Sequence, residues 1–178
     1  MYYYRMDTSG TIETKGDDNQ NIDRLNDKWI FWFHDPLDNN WKINSYRNIT
    51  DIVSIQDFWK LYNNLEEKII ENSMLFLMRH DIEPLWEHSR NVNGGCWSIK
   101  ISKDRVYEIW KNISMALLGE NISNNDLNKI NGISISPKKS FCIIKIWNDK
   151  KENKSVDLLK KIENISYEGV IYKPHNKY

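Results

Sequence analysis

The chain has 178 residues, 40% of them hydrophobic, and balances 25 Lys and Arg against 25 Asp and Glu. That length suits one domain with its own hydrophobic core. Zero net charge argues against a protein that grips duplex DNA along many phosphates, because such proteins are usually basic; any nucleic-acid role is confined to a few phosphates and a base.

Residues 1–25 are polar, include Gly10 and Gly16 and lack periodic apolar positions. They read as a flexible tail, with Tyr2-Tyr3-Tyr4 able to dock, ahead of a domain over 26–178. No apolar run of signal-peptide or membrane-spanning type is visible. Cys96 and Cys142 form neither a CxxC pair nor a disulfide framework. The expectation is an intracellular, reduced, cytoplasmic protein, in which the sequons at Asn48, Asn112, Asn121 and Asn164 are products of an Asn-rich composition.

Lys28 to Phe33 is a strand dense in aromatics, and Trp41 to Tyr46 alternates like a second. Ser54 reads as an N-cap with Asp57 as its capping-box acid. The helix that follows sets Ile55, Phe58, Tyr62, Leu65 and Ile69 on one face, with Trp59 at the rim. Met74 to Met78 is a buried strand, and Cys96 to Ile101 another, entered through the turn Gly94-Gly95. Ser102 caps a second helix with Val106, Ile109, Trp110, Ile113 and Leu117 inward, closed by Gly119 as C′ residue. Two strands follow, Ile130 to Ile135 and Phe141 to Trp147, around a turn at 136–140. A third helix over Lys154 to Ile165 turns Val156, Leu159 and Ile162 inward, and a last strand spans Gly169 to Tyr172. Strands interleaved with three amphipathic helices give an α+β domain: one antiparallel sheet with helices on one face.

Apart from Trp59 at its helix rim, the eight tryptophans fall into two kinds. Trp29, Trp32, Trp97, Trp110 and Trp147 sit in apolar or alternating segments, and the first four are core residues. Trp41 and Trp86 are flanked by polar loops, His34 to Asn40 and Asp81 to Glu87, and Pro84 keeps the second out of a helix. Two loop tryptophans suit a flat, charged ring, since Trp offers the best aromatic face to a cation. His34, His80, His88 and His175 lack ligand spacing and read as surface residues. No metal-ligand cluster or cofactor motif is visible, and no helix closely follows Gly94-Gly95 to make a phosphate loop.

Five segments occur in one order: Lys28-Trp29-Ile30-Phe31-Trp32-Phe33, Ile55 to Asn63, Ile82-Glu83-Pro84-Leu85-Trp86-Glu87, Gly94-Gly95-Cys96-Trp97 and Leu118-Gly119-Glu120. With Trp41 and Trp147 also in place, order and spacing resemble the eukaryotic translation initiation factor 4E family, the mRNA cap-binding proteins, from about Leu25 to Trp147. The resemblance implies a curved antiparallel sheet backed by three helices, with the cap in a slot on the concave face. It implies that Trp41 and Trp86 sandwich 7-methylguanine, Glu87 accepts from the base N1 and N2, the backbone N–H of Trp86 meets O6, and Trp147 contacts the N7-methyl. It also implies recruitment of mRNA to translation by a monomeric, non-enzymatic protein.

The chain departs from the family pattern at the phosphates. In gapless register the family's Arg and Lys fall on Lys138 and Ile143, and a further basic position falls on Cys96. Lys145 shares the sheet face of Ile143, so Lys138 and Lys145, with Lys139, become the phosphate ligands. On the outer face the family binds a Tyr-x-x-x-x-Leu peptide of a scaffold subunit or a repressor; here Ile55, Trp59, Lys111, Asn112, Met115 and Gly119 take those positions. Lys111 and Asn112 replace an apolar and an acidic residue, and Asp23-Arg24 a His-Pro, so the groove's charge differs. Relatives commonly run on past the point where this chain ends at Tyr178. The expectation is a different lid near the second nucleotide, partly supplied by His175, Lys177 and Tyr178. Three other readings stay open: a cap-binding repressor or decoy, a nucleotide- or cap-processing enzyme using Glu83 or Glu87 as base, and a sugar-binding module with a Trp platform.

Overall fold

Side-chain alternation sorts nearly every strand into two faces, and that sorting builds the molecule. The structure is a computed structural model that describes residues 23–125 and 129–176. Seven strands form one curved, wholly antiparallel sheet: β1 (Arg24–His34), β2 (Tyr46–Ser54), β3 (Met74–Arg79), β4 (Gly95–Ser102), β5 (Ile130–Pro137), β6 (Phe141–Asn148) and β7 (Ile171–Pro174). Their order is β2-β1-β3-β5-β6-β4-β7.

One face carries Trp29, Phe31, Leu75, Leu77, Trp97, Ile99, Ile133, Ile135, Ile144 and Ile146, all buried in the main core. Three helices cover it: α1 (Ile55–Tyr62), α2 (Glu67–Asn72) and α3 (Lys103–Leu118). They contribute Phe58, Tyr62, Ile70, Val106, Ile109, Trp110, Ile113 and Leu117. Each such apolar side chain withdrawn from water contributes about 1.5–3 kcal/mol before entropy is counted. The Tyr62 hydroxyl donates to Ser114 Oγ at 2.7 Å, tying α1 to α3 within that core. The opposite face carries a smaller cluster of Tyr46, Phe76, Met78, Ile82, Cys96 and Trp147 and, among the described residues, no helix.

The α+β class and the capping box at Ser54 and Asp57 stand as the sequence predicts. Several elements differ. The first helix stops at Tyr62, because Asn63 and Asn64 favour capping and turning over helix continuation; the Asn64 amide donates to the Lys60 carbonyl at 2.7 Å. After the break Ile70 is buried and Ile69 stays 39% exposed. The segment 154–165 forms only a 3-10 turn, Val156–Leu158. Its backbone bonds to residues 122–124 instead: Lys160 N–H donates to Ile122 O at 2.8 Å and Asn124 N–H to Leu158 O at 2.8 Å. The third helix is therefore α2, not this segment.

Residues 43–45 are a 3-10 turn rather than a strand, with Ser45 Oγ donating to the Asn40 and Lys42 carbonyls. Ser102 occupies the N-cap of α3 but makes no side-chain cap bond. Gly119 has φ −82°, and the left-handed residue is Glu120 at φ 52°. Its carboxylate is forked onto Arg79 at 2.7 and 2.6 Å, which offsets the cost of that conformation. The last strand begins at Ile171, two residues later than predicted. Trp32 is half-buried and belongs to the helix-free face. Arg24 and Leu25 belong to β1, and residues 1–22, including Tyr2-Tyr3-Tyr4, lie outside the described residues, as do Lys177 and Tyr178.

Candidate functional site

The helix-free face holds a cavity of about 410 Å³, lined by Trp41, Tyr46, Met74, Phe76, Pro84, Leu85, Trp86, Glu87, Ser134, Ser136, Lys138, Lys145 and Trp147. Strands supply the floor and two loops supply the walls. On the floor, Trp147 is 1% exposed; its indole N–H donates to Ser134 Oγ at 2.9 Å, and its ring meets Phe76 edge-on. Gly132 lies opposite Trp147 on β5. A Cβ there would come within 2.5 Å of the Leu77 carbonyl, so the close strand approach beneath the floor requires glycine.

Trp41 hangs from the β1–β2 loop, which is built by Asp and Asn side chains bonding their own backbone. Asp35 accepts from Leu37 N–H, Asp38 from Asn40 N–H and Asn40 from Lys42 N–H, at 2.8–3.1 Å. Behind Trp41 lies His34, fully buried, its ring 4.5 Å from the indole and 5° from parallel. The His34 Nε2–H donates to the Asn40 carbonyl at 2.9 Å.

Trp86 sits on the β3–β4 loop. Buried Asn91 holds that loop: its amide donates to the Glu83 and Leu85 carbonyls at 3.0 and 2.8 Å, and its Oδ1 accepts from Asn131 at 2.9 Å. Trp41 and Trp86 remain 52% and 51% exposed, so both rings offer faces to a ligand. Beside Trp86 the Glu87 side chain is exposed and forms no ion pair or hydrogen bond among the described residues. Burial, with the Glu87 charge adding to it, pushes the Tyr46 hydroxyl up to about 12, so it stays a neutral donor.

Lys145 stands on the same face as Trp147, with its ammonium 5.3 Å from the centre of the Trp86 ring. Lys138, on the β5–β6 turn, also lines the cavity; Lys139 is exposed beside it and does not. The chemistry assembled is thus two half-exposed indoles, an unpaired carboxylate next to one of them in the chain, and two lysines lining the same cavity. Among the described residues no group of three His, Cys, Asp or Glu is gathered for a metal ion, and no helix is long and apolar enough to cross a membrane.

A family model, eukaryotic initiation factor 4E, matches residues 24–177. The chain belongs to this family. Translation initiation factor 4E of Dictyostelium discoideum is 30% identical over 165 residues, covering 86% of this chain and 65% of that protein. The factor 4E of Candida glabrata is 30% identical over 130 residues, covering 69% of this chain and 61% of the other. The chain therefore spans less than two thirds of the length of these relatives. Among solved structures, Ascaris suum eIF4E-3 in complex with the m7G cap is similar at TM-score 0.65 and 22% identity, covering 74% of this chain and 76% of the other. Caenorhabditis elegans eIF4E-3 bound to the 4E-binding protein Mextli and a cap analog gives TM-score 0.64 at 24% identity, covering 72% and 75%. At these identities the likeness is one of fold.

In this structure Trp41, Trp86, Glu87, Trp147, Lys138 and Lys145 are brought together around one cavity, whereas Lys139 stands apart. The predicted outer-face residues lie on the helices: Ile55, Trp59 and Met115 are 46%, 43% and 38% exposed. Gly119 is exposed; Lys111 and Asn112 are half-buried, with the Lys111 ammonium 5.6 Å over the Tyr107 ring. Two residues of the site, His34 and Asn91, gave no signal in the sequence, and His175 was expected only as part of a lid. His34 and His175 are not the surface residues expected, and Asn91 is one Asn among many. His175 follows β7 and is half-buried. Its ring packs against Trp147 at 4.7 Å and parallel to Trp86 at 6.1 Å, and its Nδ1–H donates to the Asn91 carbonyl at 2.8 Å.

Proposed function

We propose that this chain binds the 7-methylguanosine 5′ cap of mRNA, with the base between Trp41 and Trp86, and brings capped mRNA to translation initiation in the cytoplasm as a monomer. The observation that carries the reading is the placement of two half-exposed indoles and the unpartnered Glu87 carboxylate around one cavity of about 410 Å³. Methylation at N7 makes guanine a delocalised cation. Base–aromatic stacking contributes roughly 1–3 kcal/mol per ring and the cationic term roughly 0.5–2 kcal/mol. Two rings then separate methylated from plain guanine by about 1–4 kcal/mol, roughly 10- to 1000-fold. Glu87 accepts from N1 and N2 of guanine, a two-point contact that adenine does not offer. Trp147 lies at the floor for the N7-methyl group, and Lys138 and Lys145 meet the phosphates, with Lys139 reachable by a longer chain. Lysines lack the fork of Arg, so this grip is less directional and more salt-sensitive.

The reading is one of binding without turnover. Tryptophan fluorescence quenching by 7-methyl-GTP against GTP tests it, on the intact chain and on Trp86→Ala. Quenching by the methylated nucleotide at lower concentration, lost in the variant, is expected. Equal responses to the two nucleotides overturn the cap reading; release of nucleoside or phosphate overturns the binding-only part.

A second reading, a cap-binding repressor or decoy, is favoured by one feature. Lys111 lies over Tyr107 and Asn112 is beside it, where the family pattern places an apolar and an acidic residue. Partner binding on the outer face would use Ile55, Trp59, Met115 and Gly119 with these two. Pulldown with a Tyr-x-x-x-x-Leu helix separates the cases: capture marks an initiator, and failure alongside intact cap binding marks the decoy.

A further inference from the structure

We infer that Lys145 is a specificity-determining residue that makes the slot demand phosphate as well as methylated base, because in the free protein its ammonium occupies the Trp86 face. The inference rests on the cap-binding reading and sharpens it.

Lys145 and Trp86 line the same cavity, and the ammonium lies 5.3 Å from the indole centre. That is the cation–π arrangement a cationic base itself would adopt. Other groups near Lys145 do not offer a stronger hold. Across the sheet it faces Ser98 on β4 and Ser134 on β5. Its charge reaches Cys96 and His175. It forms no ion pair with a carboxylate among the described residues. The floor beneath is Trp147, whose indole N–H is already bonded to Ser134. The Trp86 ring is thus the partner that holds this ammonium in place.

A 7-methylguanine ring cannot share that face with a second cation. Entry of the base displaces the ammonium, and what happens next depends on the ligand. A cap with a phosphate chain offers the displaced ammonium an anion close by. A bare methylated nucleoside offers nothing, so the contact with Trp86 is lost without replacement. Lys145 therefore handicaps nucleosides by about the worth of one exposed cation–π contact, roughly two- to five-fold in affinity. It spares phosphorylated caps that handicap.

The test is fluorescence titration of the full chain, wild type against Lys145→Met, with 7-methylguanosine and with 7-methyl-GTP. Lys145→Met is expected to bind the nucleoside roughly two- to five-fold more tightly, and its preference for the nucleotide over the nucleoside falls by at least that factor. Nucleoside affinity that is unchanged or weaker overturns the inference. Lys145→Arg keeps the cation and gives it a broader stacking plane, so its nucleoside affinity is expected below wild type; equal or tighter binding overturns the inference even where Lys145→Met fails to fold. A wild-type chain that does not prefer 7-methyl-GTP to GTP refutes the cap reading itself. A wild-type preference that survives while the Lys145 variants miss their expected shifts refutes this inference alone.

Discussion

The imidazole of His34 lies flat against the indole of Trp41, ring centroids 4.5 Å apart and planes 5° from parallel. The pair joins the end of β1 to the loop that carries the exposed ring. His34 is fixed on its other side by Tyr46 at 4.6 Å and through its bond to the Asn40 carbonyl. A half-exposed Trp on a loop would otherwise sample several rotamers, and each lost rotamer costs a ligand affinity. Loop and indole are therefore set before the ligand arrives.

His34→Ala removes that backing while leaving the ligand-facing groups in place. A stacked aromatic pair is worth roughly 0.5–1.5 kcal/mol beyond its burial, so affinity for 7-methyl-GTP should fall roughly two- to ten-fold. Fluorescence titration gives the affinity. Unchanged affinity would mean that Trp41 needs no support.

Glu87→Gln tests guanine reading without disturbing the fold, since the side chain is exposed and unpaired. Replacing a charge-assisted acceptor of two donors by an amide should weaken 7-methyl-GTP binding by roughly 10- to 100-fold, from about 1.5–3 kcal/mol per charged hydrogen bond. Thermal melting should be unaffected. A variant that binds as tightly as wild type would remove Glu87 from the site.

Acid should attack the opposite corner of the sheet. Burial works against ionisation of Asp27, and hydrogen bonds from Arg79 and the Lys28 N–H outweigh it, holding its carboxyl below the ordinary 3.8. A depressed carboxyl stabilises the fold above its unfolded value, and that stability is lost as pH falls through the folded one. Arg79 links Asp27 and Glu120 at 2.6 Å each and lies 4.5 Å over the Trp29 ring. Arg79→Met should cost about 1–3 kcal/mol at neutral pH, between the surface and buried limits, and flatten the acid limb of a pH-dependent denaturant series. An unchanged acid limb would show that the network carries no linkage.

His175 should give a second, milder acid dependence nearer neutrality. Burial lowers its pKa below the ordinary 6.5, and the nearby Lys145 charge works the same way; the Asn91 carbonyl and Glu87 oppose it. The folded state prefers neutral imidazole, so stability is full above about 6.5 and declines as pH falls through the lowered value. His175→Phe keeps a ring against Trp147 and cannot titrate, so its melting temperature should vary less than wild type between pH 7 and 5. Equal slopes for the two proteins would sink the assignment.

The order of apolar and polar residues along the chain was enough for the strands β3 to β6, the capping box at Ser54 and the long helix α3. Those features depend on spacing alone: alternation fixes a strand's faces, and 3.6-residue periodicity fixes a helix's stripe. The loop setting of Trp41 and Trp86 was visible for a similar reason, since polar flanks leave an indole no core to enter; the role of Glu87 came only from the resemblance to the factor 4E family. Tertiary contacts decided the rest. Residues 154–165 have a helical pattern, yet their backbone groups bond to residues 122–124, a choice that spacing within the segment does not encode. His34 and His175 look alike in sequence and like His80 and His88, but packing buries His34 behind one indole and wedges His175 against another. Asn91 is indistinguishable by type from its many Asn neighbours until the fold surrounds it with carbonyls at 2.8–3.0 Å. Local spacing thus determined which segments became these strands and helices, and long-range packing determined which side chains meet around the cavity and how firmly each is held.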